Sequence, residues 1–300
     1  IRDLIVTGVQ TCAIPIFLKS DVVISVGSSL SPGRFSHAIP DATNKKIIVC
    51  NINENHLNKI YPTTHALLGD AKLILKSLIT ELETKTSGVG ISSPNRIKEI
   101  QIERQKDDDI YSDALSSLDT PINPYRVYAD MMQVLDPKNS FVTHESGNTR
   151  DQLSTVYQTL IPRGFLGWGN VSSLGFSLPA AMAAKIAFPD RDSIAVTGEA
   201  GLGYMLGNLE VPVREKIGIT VLHISNGGFS GYGPGFWGEG HDPYTHKVLN
   251  YDSVDMSKVL KQMGLHSERI FEPKDIIPAI ERALIANQKG QPAYIEFICI

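Results

Sequence analysis

The stretch from residue 193 to residue 229 constrains the fold of this chain more than any other. Residues 194–196 and 219–224 are short apolar runs, as expected of strands that are buried on both faces. Between them, Gly198-Glu199-Ala200-Gly201 can turn tightly and present backbone N–H groups where a helix begins. The order predicts two neighbouring parallel strands, and open α/β sheets bind ligands at the carboxyl ends of such strands.

Two polar side chains, Glu199 and Asn226, come directly after these predicted strands. A carboxylate and an amide oxygen beside exposed N–H groups suit a hard cation that holds a diphosphate. The alternative is an ordinary strand–helix–strand crossover in which the glycines serve packing, because a short glycine-rich motif is weak evidence by itself.

Composition and charge limit the classes of function. The 300 residues fit about two domains, and 42% of them are hydrophobic and 20% charged, as in globular proteins. A net charge of −4 gives no broad basic surface for nucleic acid, and no apolar run approaches the roughly 20 residues that span a bilayer. Cys12, Cys50 and Cys299 have neither metal-site spacing nor the even number of a disulfide framework, so we expect a cytoplasmic protein.

Residues 1–16 are expected to be an artefact rather than part of the fold. Residues 6–16 (VTGVQTCAIPI) resemble the conceptual translation of a common sequencing adapter, with Ile14 where the adapter usually gives Leu. A signal peptide is disfavoured because the stretch lacks a continuous apolar core and a small-residue cleavage site. The native sequence is therefore expected to be recognisable from about Phe17 and to continue upstream of it.

The rest of the chain divides into three predicted parts. Residues 17–82 contain three predicted strands and a helix with Asp70 as its N-cap, which predicts half of a Rossmann-like middle domain. Residues 83–120 are a predicted linker, charged and partly helical, whose Lys106–Asp109 run is expected to be a solvated helix face. Residues 121–300 alternate between helices and strands, which implies a parallel sheet with helices on both faces.

The spacing in the central stretch resembles the signature of thiamine-diphosphate enzymes, which is Gly-Asp-Gly, somewhat over twenty residues, and then Asn-Asn. Here Gly198-Glu199-Ala200 precedes residues 201–224 and then Ser225-Asn226, so Glu199, Ala200 and Ser225 depart from the pattern. Residues 169–181 are similar to the family's G-x-M-G-x-x-LPAA segment, and residues 144–148 lie where the family has an acidic residue near a glycine. Residues 17–82 are similar to the second half of the family's middle domain.

The resemblance implies a fold and a set of ligands. The fold is the parallel-sheet diphosphate-binding domain of such an enzyme, preceded by half of the Rossmann-like domain. Side chains of Glu199 and Asn226 and the carbonyl of Gly228 would bind Mg²⁺. Gly201 and Leu202 would offer N–H groups to the diphosphate. The implied contacts to thiamine diphosphate are Glu145, Ser172 (by its backbone), Leu174 (which props the bent cofactor), Gly198, Gly201, Leu202, Asn226, Gly228 and Phe229. The residues leave the use of FAD by the middle domain open.

The implied activity is that of a lyase or carboligase on 2-oxo acids, similar to acetolactate synthase. In the family the activating glutamate belongs to a pyrimidine-binding domain of the partner subunit in a homodimer or homotetramer, so the chain alone is expected to be inactive. His144, His241 and His246 are candidate proton carriers, since imidazoles titrate near neutral pH, and the alternative is that they are ordinary histidines without a catalytic role. His223 is expected in the core. The alternatives are a CoA-thioester decarboxylase, as for oxalyl-CoA, and a non-catalytic homologue that binds the cofactor.

Overall fold

The computed structural model describes residues 13–31, 38–89, 93–169, 171–228 and 254–300. The chain divides into two compact units, a first unit over Ile1–Ile110 and a second unit over Tyr111–Ile300. The predicted domain limits at residues 17–82, 83–120 and 121–300 stay predictions. Among the helices described, none combines the length and the apolar character that crossing a membrane requires.

The first unit contains a three-stranded parallel sheet with the strand order β1-β2-β3. Val23, Ile47 and Val49 form its small apolar core. The predicted N-cap is confirmed, because Asp70 Oδ1 accepts hydrogen bonds from the N–H groups of Lys72 and Leu73 at 3.0 and 3.1 Å. The elements are α1 (Ala13–Lys19), β1 (Val22–Val26), β2 (Lys46–Asn51), β3 (His65–Leu68) and α2 (Ala71–Thr86).

Two features of this region differ from the sequence-based expectation or extend it. Helix α2 runs to Thr86, beyond its predicted end, and Ser87 closes it in the left-handed conformation at φ 52°. The predicted linker is largely occupied by a helix, α3 (Pro94–Leu115). Helix α1 includes residues 13–16, the last residues of the stretch that was predicted to be an artefact. The presence of a helix there does not test the predicted origin of that sequence.

The second unit is built on a six-stranded sheet with the order β5-β4-β6-β7-β9-β8, in which every strand pair is parallel. This confirms the predicted parallel sheet. The direction in which the chain adds strands reverses between β4 and β6, and ligands bind at such a switch point in open α/β sheets. The strands are β4 (Ser140–His144), β5 (Phe165–Leu166), β6 (Asp192–Thr197), β7 (Thr220–Ser225), β8 (His266–Ile270) and β9 (Ala293–Ile298).

Helices cover both faces of this sheet, as the buried apolar strands require. Alternate residues of β6 enter different cores: Val196 lies in the cluster with α4 and α10, and Ala195 in the cluster with α6, α7 and α9. The helices described are α4 (Pro124–Val134), α5 (Asn148–Val156), α6 (Ser177–Ala187), α7 (Glu199–Met205), α8 (Glu210–Arg214), α9 (Met256–Gln262) and α10 (Ile276–Gln288).

The start of α6 corrects one prediction. The sequence pattern predicts a helix from residue 173, whereas the helix begins at Ser177. Ser172 has φ 58° and Gly175 has φ 83°, and these left-handed backbone values are incompatible with a right-handed helix. Residues 171–176 therefore form a separate segment, called the hinge segment below, in front of α6.

Candidate functional site

The carboxylate of Glu199, at the carboxyl end of β6, contacts the turn that follows the neighbouring strand β7. Strands β6 and β7 are neighbours in the register Thr197↔His223, as predicted. Helix α7 begins at Glu199, and Glu199 Oε1 accepts hydrogen bonds from the N–H groups of Asn226 and Gly227 at 2.7 and 3.0 Å. The two residues predicted as side-chain metal ligands therefore lie side by side at the carboxyl edge of the sheet.

The turn after β7 depends on glycine. Gly227 and Gly228 have φ values of 79° and 115°, a region that side-chain-bearing residues rarely adopt. Burial raises the pKa of the Glu199 carboxyl, and hydrogen bonds from the backbone N–H groups of residues 199 and 226–228 lower it in part. Glu199 is thus a partly buried acid whose charged form is only partly compensated by this turn.

Glu145 is the second carboxylate at this edge, directly after β4. Its side chain is 1% exposed, and both oxygens bind backbone N–H groups across the switch point. Oε2 accepts from Gly175 at 2.9 Å and Oε1 accepts from Ser177 at 2.6 Å. The predicted contact of Glu145 with the cofactor stays a prediction, and the structure adds a role in holding the start of α6.

The hinge segment brings two further predicted residues to the same edge. Ser172 Oγ lies 2.6 Å from Ser146 Oγ, one residue after Glu145. Leu174 is half-buried between Ser172 and Gly175. A Cβ built on Gly175 would lie 2.7 Å from Met205 Cε, which places the hinge segment against α7.

The glycines at the start of α7 differ in their surroundings. Among the described residues, a Cβ on Gly198 would meet no atom within 4 Å, so they leave the backbone there open to a ligand. A Cβ on Gly201 would instead lie 2.4 Å from Glu145 Cγ. The N–H of Leu202 donates to the Gly198 carbonyl at 3.0 Å, so the predicted bond from Leu202 to a diphosphate would have to share that donor.

Of the predicted proton carriers, the structure describes His144. His144 is 4% exposed, its ring centroid lies 5.3 Å from that of Phe165, and its Nδ1 lies 3.0 Å from the Glu145 carbonyl oxygen. A Cβ on Gly167 would come within 2.5 Å of Nε2, so the imidazole is enclosed. His241, His246 and the predicted cofactor contact Phe229 lie outside the described residues.

A buried polar cluster on β7, β8 and β9 was only partly anticipated. His223 is 2% exposed, as expected of a core histidine, and its Nδ1 lies 2.7 Å from the hydroxyl of Tyr294. Glu296 is 0% exposed, and its Oε2 lies 3.2 Å from Arg269 Nε. The sequence signal was one charged residue, Glu296, in the otherwise apolar strand β9. Its register partner on β8 is Arg269.

Burial governs the ionisation of this cluster. It lowers the pKa of His223 to about 3, with a smaller contribution from the positive charge of Arg269. It raises the pKa of the Glu296 carboxyl, which Arg269 partly offsets. Within the described ranges, no group of three or more His, Cys, Asp or Glu side chains is arranged to hold a metal ion. The ligands predicted to bind Mg²⁺ at the carboxyl ends of β6 and β7 are of a different kind, because Glu199 is the one carboxylate among them.

Comparisons with known proteins identify a family whose model covers this region of the chain. The family described as thiamine pyrophosphate enzyme, C-terminal TPP binding domain, matches residues 145–297, which contain the hinge segment and both strand ends. A probable acetolactate synthase large subunit of Methanococcus aeolicus is 27% identical over 290 residues, covering 90% of this chain and 46% of its own.

Other relatives carry different names. The sulfoacetaldehyde acetyltransferase of Alcaligenes xylosoxydans xylosoxydans is 25% identical, with 96% of this chain and 51% of the relative covered. The human 2-hydroxyacyl-CoA lyase 1 is 29% identical, with 73% of this chain and 39% of the relative covered. The chain spans about half the length of the curated relatives it matches.

Proposed function

We propose that the second unit of this chain, which belongs to the family of thiamine pyrophosphate enzymes, binds the diphosphate end of thiamine diphosphate together with Mg²⁺. The observation that carries the proposal is the pair of hydrogen bonds from Asn226 and Gly227 to the Glu199 carboxylate. This contact holds Glu199 beside the turn that carries Asn226 and Gly228, and so supports the carboxylate, the Asn226 amide and the Gly228 carbonyl as the proposed metal ligands.

These donors fit the proposed ligands. Mg²⁺ prefers hard oxygen ligands and uses few protein carboxylates when phosphate oxygens complete its shell. Burial raises the pKa of the Glu199 carboxyl. A neighbouring cation would act in the opposite direction and favour the charged carboxylate. The open backbone at Gly198 allows close approach of a phosphate group. The departures from the family signature, Glu199, Ala200 and Ser225, therefore leave a coherent set of proposed ligands.

The chain would position the cofactor and shield it from water. When bound, thiamine diphosphate supplies a nucleophilic carbon and an electron sink for breaking or forming a bond beside a carbonyl. Leu174 in the hinge segment would support the bent cofactor, and the backbone of Ser172 would lie against its aminopyrimidine. The group that activates the cofactor would come from a pyrimidine-binding domain of a partner subunit.

The proposed activity is cleavage or joining of 2-oxo acids, supported by relatives named as acetolactate synthases. A second candidate is the cleavage of a carbon–carbon bond in a CoA thioester, as in its decarboxylation. It is supported by the Glu-Ser-Gly-Asn-Thr sequence at residues 145–149 and by relatives named as 2-hydroxyacyl-CoA lyases. A panel of 2-oxo acids and acyl-CoA thioesters, assayed on the native protein, separates the two candidates.

Isothermal titration with thiamine diphosphate tests the proposed site, with Mg²⁺ and with EDTA in its place. We expect binding that depends on Mg²⁺ and that weakens at least about tenfold in Glu199→Ala and in Asn226→Ala. Glu210→Ala is the matched control, because Glu210 is an exposed carboxylate on α8 whose partner is Arg214. Equal affinity in all variants, or equal affinity in EDTA, would refute the site. Binding without turnover of any substrate would support the non-catalytic alternative.

A further inference from the structure

We infer that Glu145 is a positioning residue whose buried carboxylate and stem join the hinge segment to helix α7, and so set the separation between the two sides of the proposed cofactor site. The consequence of this inference for cofactor binding rests on the proposed function. The contacts of Glu145 with the hinge segment, α6 and α7, called the joint below, are a property of the chain and can be tested without any ligand.

The first half of the joint is the carboxylate. Both oxygens accept backbone hydrogen bonds, at 2.9 Å from Gly175 and 2.6 Å from Ser177, in a site where Glu145 is 1% exposed. Bonds from neutral donors to an ionised acceptor are the strong class of hydrogen bond in proteins. Phe176, the residue before α6, makes no side-chain capping bond. Glu145 therefore supplies from β4 the acceptor that the helix start lacks locally.

The second half of the joint is the aliphatic stem of Glu145. A Cβ on Gly201 would lie 2.4 Å from Glu145 Cγ, 2.7 Å from Cδ and 2.6 Å from Thr197 Oγ1. Real Cβ atoms do not approach so closely, so the stem occupies the space beside Gly201 on α7. One side chain thus holds the N–H of Gly175 in the hinge segment and the N–H of Ser177 at the start of α6, and it packs on the helix that carries the proposed diphosphate side.

The hinge segment needs such external fixing. Ser172 and Gly175 both have left-handed backbone values, which are unfavourable for a residue with a side chain such as Ser172. The contact between Ser146 Oγ and Ser172 Oγ fixes one end, and Glu145 fixes the other through Gly175. Leu174 lies between these two anchors, so its distance from α7 depends on Glu145. Loss of Glu145 should then weaken cofactor binding even where no contact to the cofactor is removed.

The first test measures hydrogen exchange of backbone amides in the chain without ligand. Glu145→Gln keeps the shape but presents an NH₂ group to one of the two N–H donors. We expect the amides of Gly175 and Ser177 to exchange at least about tenfold faster, while amides of β6 and β9 keep their rates. Glu210→Gln, the exposed control on α8, should leave all of these rates unchanged. If the amides of Gly175 and Ser177 exchange in Glu145→Gln at the same rates as in the wild-type protein, the inference is wrong. It is also wrong if exchange becomes faster evenly over the whole sheet.

The second test concerns the stem and uses a double-mutant cycle, again on hinge-amide exchange. Gly201→Ala should speed exchange in the wild-type background, because its methyl group displaces Glu145. It should do so several-fold less in a Glu145→Ala background, where only the contact with Thr197 remains. An equal effect in both backgrounds would contradict the stem's role.

The third test links the joint to the cofactor. The dissociation constant of thiamine diphosphate with Mg²⁺ should rise at least about tenfold in Glu145→Gln and stay unchanged in Glu210→Gln. Faster hinge exchange with an unchanged dissociation constant would overturn the positioning role. Absence of binding by the wild-type protein would instead refute the proposed function, while the exchange measurements would still decide whether Glu145 forms the joint.

Discussion

His223 should make the second unit sensitive to mild acid. Its imidazole is 2% exposed, and burial holds its pKa at about 3, against about 6.5 for a histidine in an unfolded chain. Because the folded pKa is the lower one, the unfolded state binds the proton first. The stability contributed by neutral His223 is therefore complete above about pH 6.5 and is lost as the pH falls toward 3. Each unit of pH in this window costs about 1.4 kcal/mol, so moving from pH 6.5 to pH 5 should cost about 2 kcal/mol.

Urea unfolding followed by tryptophan fluorescence measures this loss, because both tryptophans, Trp168 and Trp237, belong to the second unit. His223→Gln keeps an acceptor for the Tyr294 hydroxyl and removes the titrating ring. Wild-type protein should lose about 2 kcal/mol more unfolding free energy than the variant between pH 7 and pH 5. Other groups that titrate, among them Glu296 with its raised pKa, are present in both proteins and largely cancel in the difference.

An exposed histidine provides the control for that comparison. His65→Gln in the first unit removes an exposed imidazole and should leave the acid sensitivity of the tryptophan signal at the wild-type level. If wild type and His223→Gln lose the same free energy, the buried neutral histidine is not what makes the second unit sensitive to acid.

Three further substitutions test local packing and capping. Asp70→Ala removes the acceptor at the start of α2 and should cost about 1 kcal/mol in the first unit, read as a lower melting temperature by circular dichroism. An unchanged melt would mean that the cap contributes nothing. Gly218→Ala would place a methyl carbon 2.2 Å from the backbone oxygen of Asn287 and should cost about 2 kcal/mol or more in urea unfolding. Gly203→Ala is its counterpart in open space on α7 and should be neutral or stabilising by up to about 1 kcal/mol. Similar effects of the two alanines would contradict the packing around Gly218.

The central sheet could be predicted because its strands are continuous apolar runs separated by glycine turns. Residues 194–196 and 219–224 predicted β6 and β7 to within two residues, and their adjacency followed from the parallel order. The placement of Glu199 and Asn226 at one edge followed in turn, since each comes directly after a strand. The resemblance to a known family contributed the ligand roles, which no spacing rule supplies.

Other elements left weaker signals. Strand β8 carries Glu268 and Arg269 in five residues, so its pattern does not look like a buried strand. Strand β5 has two residues, too few for any periodicity. The delayed start of α6 depends on left-handed backbone values at Ser172 and Gly175, and a serine gives no sequence signal for such a conformation. These elements are set by tertiary contacts that local patterns do not encode.

The partners of the two edge carboxylates show this limit most clearly. Glu199 and Glu145 each follow a strand, and each binds backbone N–H groups about thirty residues further along the chain. Backbone donors carry no sequence signature, so an acidic residue at a strand end looks the same whether it binds metal, cofactor or main chain. Exposure separates the two in the structure: Glu145 is 1% exposed with both oxygens bound to backbone N–H groups, whereas Glu199 is only partly buried and binds N–H groups of the turn after β7. The same residue type at neighbouring strand ends can therefore fix the hinge segment in one case and, under the proposed function, contact a cation in the other.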